Sequence, residues 1–302
     1  MFNPIKNMIV PFWFIVLSGS GFVFLTLGLN NSSLLLFLEL RFLIAALILF
    51  LVIVLFKISF PKSLRDVFHI SIAGILSMGI FSTCCMYAIK YGISPALCSL
   101  VISLQPIVVA FFAMKFLNEE VSKRVWFGLF LGLFGVILVL GLSEGISKEY
   151  IVGFVFAIVA LAGMSFGSLY QKRFCSDMNL FSGGVIQNFF SSILILPFLY
   201  YEDIYIDLNW ELIVSLGYMS VFASVGAMSL LFYMIRKGNV SKVSSLFYLL
   251  PVVSAIVAYF LLGKDIELNV FLGIVIVLVA MSLINQKTVS FKSLLGFRFK
   301  RN

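Results

Sequence analysis

Residues 91–114 read YGISPALCSLVISLQPIVVAFFAM, a run without a single Asp, Glu, Lys or Arg and with a proline at its heart. An α-helix rises 1.5 Å per residue, so about 20 apolar residues cross a hydrocarbon layer about 30 Å thick. Nine further charge-free runs occupy residues 7–38, 42–56, 70–89, 125–143, 150–171, 178–201, 212–235, 243–263 and 268–286. Only 42–56 is too short, and it reaches spanning length if its helix starts near Ser33 and includes Glu39 and Arg41. The longest run then divides at the turn-like Asn30-Asn31-Ser32-Ser33. Ten spans result, at 8–28, 33–56, 69–89, 95–117, 124–141, 151–170, 180–200, 211–234, 244–263 and 268–285. The runs are continuously apolar, whereas β-barrel strands alternate over about 10 residues. The expected fold is therefore an all-α integral membrane protein.

Composition agrees. The 302 residues are 62% hydrophobic and 11% charged, with a mean hydropathy of +1.14. A typical soluble domain is about 45–50% apolar and about 25% charged. One histidine and four cysteines leave little for metal or redox chemistry. Cys84 and Cys85 are adjacent, Cys98 and Cys175 stand alone, and no C-x-x-C spacing exists, so the cysteines read as small apolar fillers. His69, beside Lys62 and Arg65, reads as an interfacial residue. No cofactor and no metal are expected. The first span has only Lys6 before it and no small-residue cleavage pattern after it, so it reads as a span and not as a cleaved signal.

The basic residues set the expected orientation. With the N-terminus in the cytoplasm, 17 of the 21 Lys and Arg residues fall in cytoplasmic segments. Only Lys90, Lys148 and Lys264 lie outside, and Arg41 lies within a span. The outer loops hold Glu202, Asp203, Asp207 and Glu211. By the positive-inside rule both termini face the cytoplasm, in a multi-pass protein of the cytoplasmic (inner) membrane. The net charge of +8 is mostly this signal. Charges dispersed over short loops exclude a nucleic-acid partner, while the basic tail 287–302 suits anionic membrane lipid.

The two halves of the chain resemble each other. Ile9-Val10-Pro11-Phe12-Trp13-Phe14 aligns with Ile151-Val152-Gly153-Phe154-Val155-Phe156, and the register continues through Gly21/Gly163 and Phe24/Phe166. Tyr87-Ala88-Ile89-Lys90-Tyr91-Gly92 matches Tyr233-Met234-Ile235-Arg236-Lys237-Gly238. Pro106 then matches Pro251, Leu117 matches Leu262, and Gly128 matches Gly273. Residues 1–143 and 144–286 thus form two five-span repeats. Five is odd, so the second repeat must lie inverted, a recurrent build of secondary transporters with substrate held between the halves.

The prolines mark where that site is expected. Lacking an N–H, Pro106 and Pro251 leave the carbonyls of Ile102 and Phe247 short of a helix bond, and such backbone is tolerated only against protein or a water-filled cavity. Ser99, Ser103 and Pro106 share one helix face, and Ser244, Tyr248 and Pro251 repeat the spacing. Tyr87, Gln105, Ser165 and Tyr233, with Trp13, Ser20 and Phe24 on the first span, complete the candidate contacts. Aromatic walls with a few hydroxyls suit a substrate with an apolar body and a polar head. Each serine taken alone also reads as a helix-backbone bonder. The pairs Gly128/Gly132 and Gly163/Gly167 read as close helix contacts.

Glu39 and Arg41 stand apart. A helix beginning near Ser33 carries them about 9 and 12 Å into the membrane. A charge at such depth costs at least about 2.5–3.5 kcal/mol, so each needs a partner or a water path. Two residues apart, they point about 200° away from each other. Glu39 is the candidate for a coupling proton or ion, or for attracting a cationic substrate. The competing reading is a carboxylate bonded to Asn or Ser side chains.

These features together resemble the EamA-type transporters of the drug/metabolite transporter superfamily. The resemblance rests on the ten spans, on Glu39-Leu40-Arg41-Phe42-Leu43-Ile44-Ala45-Ala46-Leu47, and on Leu104-Gln105-Pro106 through Leu117-Asn118-Glu119. It implies a secondary transporter or exporter of amino acids, sugars or other metabolites, with a central cavity lined mainly by spans 1, 3, 4, 6, 8 and 9. Arg41 matches an arginine often found early in span 2, and Glu119 an acid that closes span 4. Lys264 stands at the equivalent place in the second half, with Asp265 after it. The expected activity is alternating-access transport of a small polar or amphipathic metabolite by a monomer or homodimer. The alternative is an integral-membrane enzyme acting on a lipid or prenyl substrate. The Gly-rich stretches lack the Gly-Lys-Ser/Thr of a phosphate-binding loop, which argues against ATP-driven pumping.

Overall fold

A computed structural model describes residues 4–93, 95–140, 151–262 and 268–285. Lys148, Lys264, Asp265 and the tail 287–302 lie outside the described residues. Among the described residues ten helices are long and apolar enough to cross a membrane: α1 (Pro4–Leu29), α2 (Leu34–Phe56), α3 (Leu64–Lys90), α4 (Pro95–Ile102 and Gln105–Phe116), α5 (Lys123–Leu140), α6 (Ile151–Phe174), α7 (Leu180–Leu199), α8 (Trp210–Lys237), α9 (Val240–Ser244, Ser245–Tyr248 and Leu249–Leu262) and α10 (Leu268–Asn285). Only an isolated bridge, Ser32 with Ile206, departs from helix and loop among the described residues.

Several helices begin or end beyond the limits expected from charge, and for three of them the cause is visible. Helix α3 starts at Leu64 because the Ser63 hydroxyl accepts the Arg65 N–H at 3.2 Å and Asp66 sits in the positive first turn. Helix α8 runs on to Lys237, where the Lys172 ammonium donates to the carbonyls of Ile235, Arg236 and Gly238 at 2.8–3.0 Å. Those carbonyls have no helical partner of their own, and a cation there suits the helix dipole. Helix α9 starts at Val240 for a reason supplied by the other half of the chain, given below.

The contacts between helices are those of an inverted repeat. Helix α1 packs on α8 and α9, and its counterpart α6 packs on α3 and α4. Helix α2 packs on its own counterpart α7, and α5 on its counterpart α10. Both of these pairs are antiparallel. Glu39 meets Ser192 where Leu49 meets Gly184, and Gly128 meets Ile284 where Gly135 meets Val277. The α5–α10 contact is also reciprocal. A Cβ on Gly128 would lie 2.7 Å from Ile284, and one on Gly273 would lie 2.7 Å from Val139. The register that maps Gly128 onto Gly273 maps Val139 onto Ile284, so the same contact is made twice about a pseudo-two-fold axis.

Helices in lipid gain nothing from burying apolar surface against one another, so association depends on close packing at small residues. Toward one end of the α5–α10 seam Gly273 has the Gly135 carbonyl 2.6 Å from where its Cβ would stand. Large apolar side chains instead cover the outside: Leu55 is 75% exposed and Phe127 63%. Tyr200, Tyr201 and Trp210 ring the acid-rich end, in the manner of an interfacial aromatic belt.

Both repeats also depart from regular helix at matching places. Residues Ile75–Ile80 of α3 and Tyr218–Ala227 of α8 are π-helical, and the register pairing Tyr87 with Tyr233 sets the first inside the second. Helix α4 breaks at Ser103–Leu104, and α9 tightens into a 3₁₀ turn over Ser245–Tyr248 just before Pro251. The expected proline kink is thus a full break in α4 and a local tightening in α9.

The seam predicts a contrast. Gly273→Ala forces a Cβ against backbone, and overpacking of this kind costs about 1–3 kcal/mol. Gly217→Ala meets nothing within 4 Å and gains about 0.5–1 kcal/mol from helix propensity. Thermal unfolding in detergent should place Gly273→Ala below, and Gly217→Ala at or above, the parent protein.

Candidate functional site

Gln105 lies at the break in α4, wholly buried, and both its amide oxygen and its amide nitrogen lack a partner among the described residues. The same holds for the Ser165 hydroxyl on α6 and the Thr83 hydroxyl on α3. Helices α3 and α4 both pack against α6, so three helices that touch each carry an unsatisfied polar group. An unpaired polar group in an apolar interior costs about 1–3 kcal/mol, which makes these groups places for water or ligand polar atoms.

The other expected contacts fall into different settings. The Ser103 hydroxyl donates to the Ser99 carbonyl at 2.8 Å, and the Ser244 hydroxyl to Val240 at 2.8 Å, so each of these two bonds its own helix. Tyr248 is fully buried with its hydroxyl on the Leu129 carbonyl at 2.9 Å and its ring in the notch left by Gly132. Its hydroxyl and ring both lock α9 to α5. Ser20 shares a short hydrogen bond with the Tyr218 hydroxyl, and Phe24 stacks on the Tyr218 ring at 3.9 Å, tying α1 to the π-segment of α8. Tyr87 stacks on Phe156 at 5.2 Å, and the Lys90 ammonium lies 5.8 Å from the centroid of the Tyr87 ring. Tyr233 is 37% exposed beneath Lys237, and Trp13 is 50% exposed, edge-on to Phe12. Pro106 and Pro251 are both buried.

Glu39 and Arg41 reach different helices of the second half. Glu39 is 4% exposed, its Oε1 accepts the Ser192 hydroxyl at 2.5 Å, and its Oε2 has no partner among the described residues. Arg41 Nε donates to the Ser224 hydroxyl at 2.7 Å, inside the π-segment of α8. Next to Ser192, helix α7 carries a buried polar row that sequence reasoning missed. Gln187 donates to Gln171 at 2.8 Å, Ser191 reaches the carbonyls of Gln187 and Gly74, and Asn188 returns to the Gly184 carbonyl. The Gln187 and Asn188 side-chain oxygens remain unpaired. A signal existed: α7 has a hydropathy of 1.4, the lowest of the ten spans, because amides and hydroxyls replace aliphatic residues there.

Two carboxylates close the halves onto each other at opposite ends of the bundle. Ser33 precedes α2 and Asn239 precedes α9, yet neither side chain caps its helix. Instead Glu202, after α7, accepts the Leu35 and Leu36 amides at 3.0–3.2 Å. Glu119, after α4, accepts the Val240 and Ser241 amides at 2.6 and 3.2 Å and the Ser241 hydroxyl at 2.7 Å. Asn118 makes this possible by adopting the left-handed conformation, φ 52°, that asparagine tolerates better than most residues. The acid end is further joined by Ser33 N–H to Tyr205 and Asp207 N–H to Asn31, both 2.7 Å. At the basic end Arg173 donates to the Phe116 carbonyl at 3.0 Å.

A cavity of about 480 Å³ opens between the halves near that basic end, bounded by Leu76 of α3, the end of α4 and the last turns of α6. Phe166 lies next in sequence to Ser165, and none of the side chains expected from the sequence lines the cavity itself.

This double architecture has relatives. The EamA-like transporter family matches the chain twice, over residues 8–141 and 151–286. The chain belongs to the EamA-like transporter family. It is 24% identical over 264 residues to the uncharacterized transporter YvbV of Bacillus subtilis, covering 86% of this chain and 85% of that one. An uncharacterized transporter of Archaeoglobus fulgidus is 26% identical over 281 residues, with 92% and 96% covered. The uncharacterized inner membrane transporter YedA of Escherichia coli K12 is 21% identical over 270 residues, with 89% and 87% covered. A crystal structure at 16% identity superposes with a TM-score of 0.79 over 92% of this chain and 95% of its own, which shows the shared fold. The EamA-like chain is thus a multi-pass membrane protein among transporters.

Its inter-half caps can be measured. Glu119→Ala removes three hydrogen bonds at the start of α9 and should cost about 1–2 kcal/mol. Glu120→Ala, at an exposed neighbour, should stay within about 0.5 kcal/mol. Unfolding midpoints in detergent compare the two.

Proposed function

We propose that this chain is a secondary carrier that moves a small polar or amphipathic metabolite across the cytoplasmic membrane by alternating access. The observation that carries the reading is the matched departure from regular α-helix in α4 and α9, one in each inverted half. In lipid a broken helix is tolerated only where it faces protein or a cavity. Discontinuous helices at a repeat interface are where secondary transporters hold substrate. Gln105, Thr83 and Ser165 are the polar groups that would meet the substrate in this reading. Glu39, with one oxygen bonded to Ser192 and the other unpaired, is the group that would take a coupling proton.

Carboxylate caps at both ends support rocking of one half against the other. Opening toward the basic side would release Glu119 from α9, and opening toward the acidic side would release Glu202 from α2. The basic end is the cytoplasmic one by charge distribution, with both termini on that side.

Proteoliposomes test this. Uptake of labelled metabolites should saturate and show counterflow, which a channel would not, and should return the substrate chemically unchanged, which an enzyme would not. Gln105→Leu should lower transport at least about tenfold while leaving stability equal or higher, because an unpaired buried amide is replaced by an apolar group. Glu39→Gln keeps a Ser192 partner and should fold, yet abolish any acceleration of transport by a proton gradient. Reporter fusions should place both termini in the cytoplasm.

A further inference from the structure

The cavity at the basic end has a chemistry of its own. Its walls are Leu76, Phe116, Phe166, Leu169 and Phe174, and its polar groups are Lys115, Asn118, Tyr170 and Arg173. Two of these four are cations, and no carboxylate lines the space. Glu119, one residue from Asn118, is turned away and occupied by the Val240 and Ser241 amides. The Lys115 ammonium lies 4.6 Å over the Phe111 ring and has no anionic partner among the described residues. Arg173 has one nitrogen on the Phe116 carbonyl, and a guanidinium has five donors in a planar fork. Tyr170 is held in place by His69, 2.6 Å from its hydroxyl, while His69 stacks on Phe174 at 4.8 Å. One wall of the cavity is therefore pre-organised before anything binds.

We infer that this cavity is a binding site for an organic anion, a carboxylate or phosphate head on an apolar body, whose head is held by Lys115 and Arg173 and whose body lies against Phe116, Phe166 and Phe174. The inference rests on the carrier reading in one respect: the site lies between the halves and would be the first station for substrate arriving from the basic side. It narrows the cargo to an anion, because a zwitterion or a cation finds no acid there to receive its ammonium. A cavity of about 480 Å³ falls within the range of small-molecule sites. The same head-and-body chemistry occurs in soluble amphipathic acids and in anionic membrane lipids.

Equilibrium binding of labelled 4-phenylbutyrate to the full-length chain in a neutral detergent, without a gradient, tests the site. Saturable binding is expected, with 4-phenylbutanamide and 4-phenylbutylamine each at least about tenfold weaker, a difference of about 1.4 kcal/mol. Lys115→Gln, at an exposed side chain, and Arg173→Gln should each lower phenylbutyrate affinity about tenfold, while Arg236→Gln, outside the cavity, should not change it. If Arg173→Gln fails to fold, Lys115→Gln and the amide comparison still decide. Phosphatidylglycerol added in neutral nanodiscs separates the sources: competitive displacement of phenylbutyrate identifies a lipid head as the occupant, and no displacement identifies a soluble acid. Equal binding of acid, amide and amine, or unchanged affinity in both cavity variants, overturns the inference. Counterflow of metabolites is read separately, so lost binding with intact counterflow defeats the anion site alone, and intact binding without counterflow defeats the carrier reading alone.

Discussion

Every backbone amide and carbonyl inside a bilayer must find its partner within the protein, and the architecture of this chain follows from how it meets that demand. Unbroken helices satisfy it by themselves. The helix ends and interruptions do not, and those are the places where the two halves hold each other. The starts of α2 and α9 take carboxylates from the opposite repeat. The end of α4 takes Arg173 across the repeat boundary, while the end of α8 takes Lys172 from its own repeat. Bonds of this kind can be exchanged without disturbing helix interiors, which gives a bundle of rigid helices defined points at which to separate.

The seams between halves divide into two kinds. At α5–α10 glycines bring backbones within van der Waals contact, and the contact repeats about the pseudo-two-fold. Such a seam tolerates little change in spacing, because interlocked surfaces have no room to slide. At α2–α7, polar side chains take over: Glu39 with Ser192, and Gln187 with Gln171 behind it. Several oxygens there remain unpaired. One seam is thus closely packed, and the other is incompletely hydrogen-bonded.

How much of this was legible beforehand depends on the range of the interaction. The ten spans could be read because membrane insertion responds to local apolar length. Pro106 and Pro251 could be read because proline acts on its own helix. The π-segments of α3 and α8 could not, since Gly79 and Gly226 inside them are no different locally from the glycines of regular helices such as Gly128 and Gly163, and their backbone departs from α geometry where Gly163, Gly167 and Ser20 bring neighbouring helices close. Ser33 and Asn239 have the chemistry of helix caps and do not act as caps, because a carboxylate more than 100 residues away in sequence supplies the acceptor. Tyr248 reads as a site residue from its spacing to Pro251, yet its neighbours are Gly132 and Leu129, which no spacing reveals.

By itself, then, the sequence determined the membrane class, the number of spans, the internal repeat and the places where helices must weaken, because each depends on residues close together in the chain. Only the tertiary structure decided which helices meet, which polar groups are left without partners at the breaks, and that Lys115 and Arg173 share one aromatic cavity. Those features depend on side chains from different helices converging at one height in the membrane. Convergence is set by packing between the halves, and a single strand of residues does not record it.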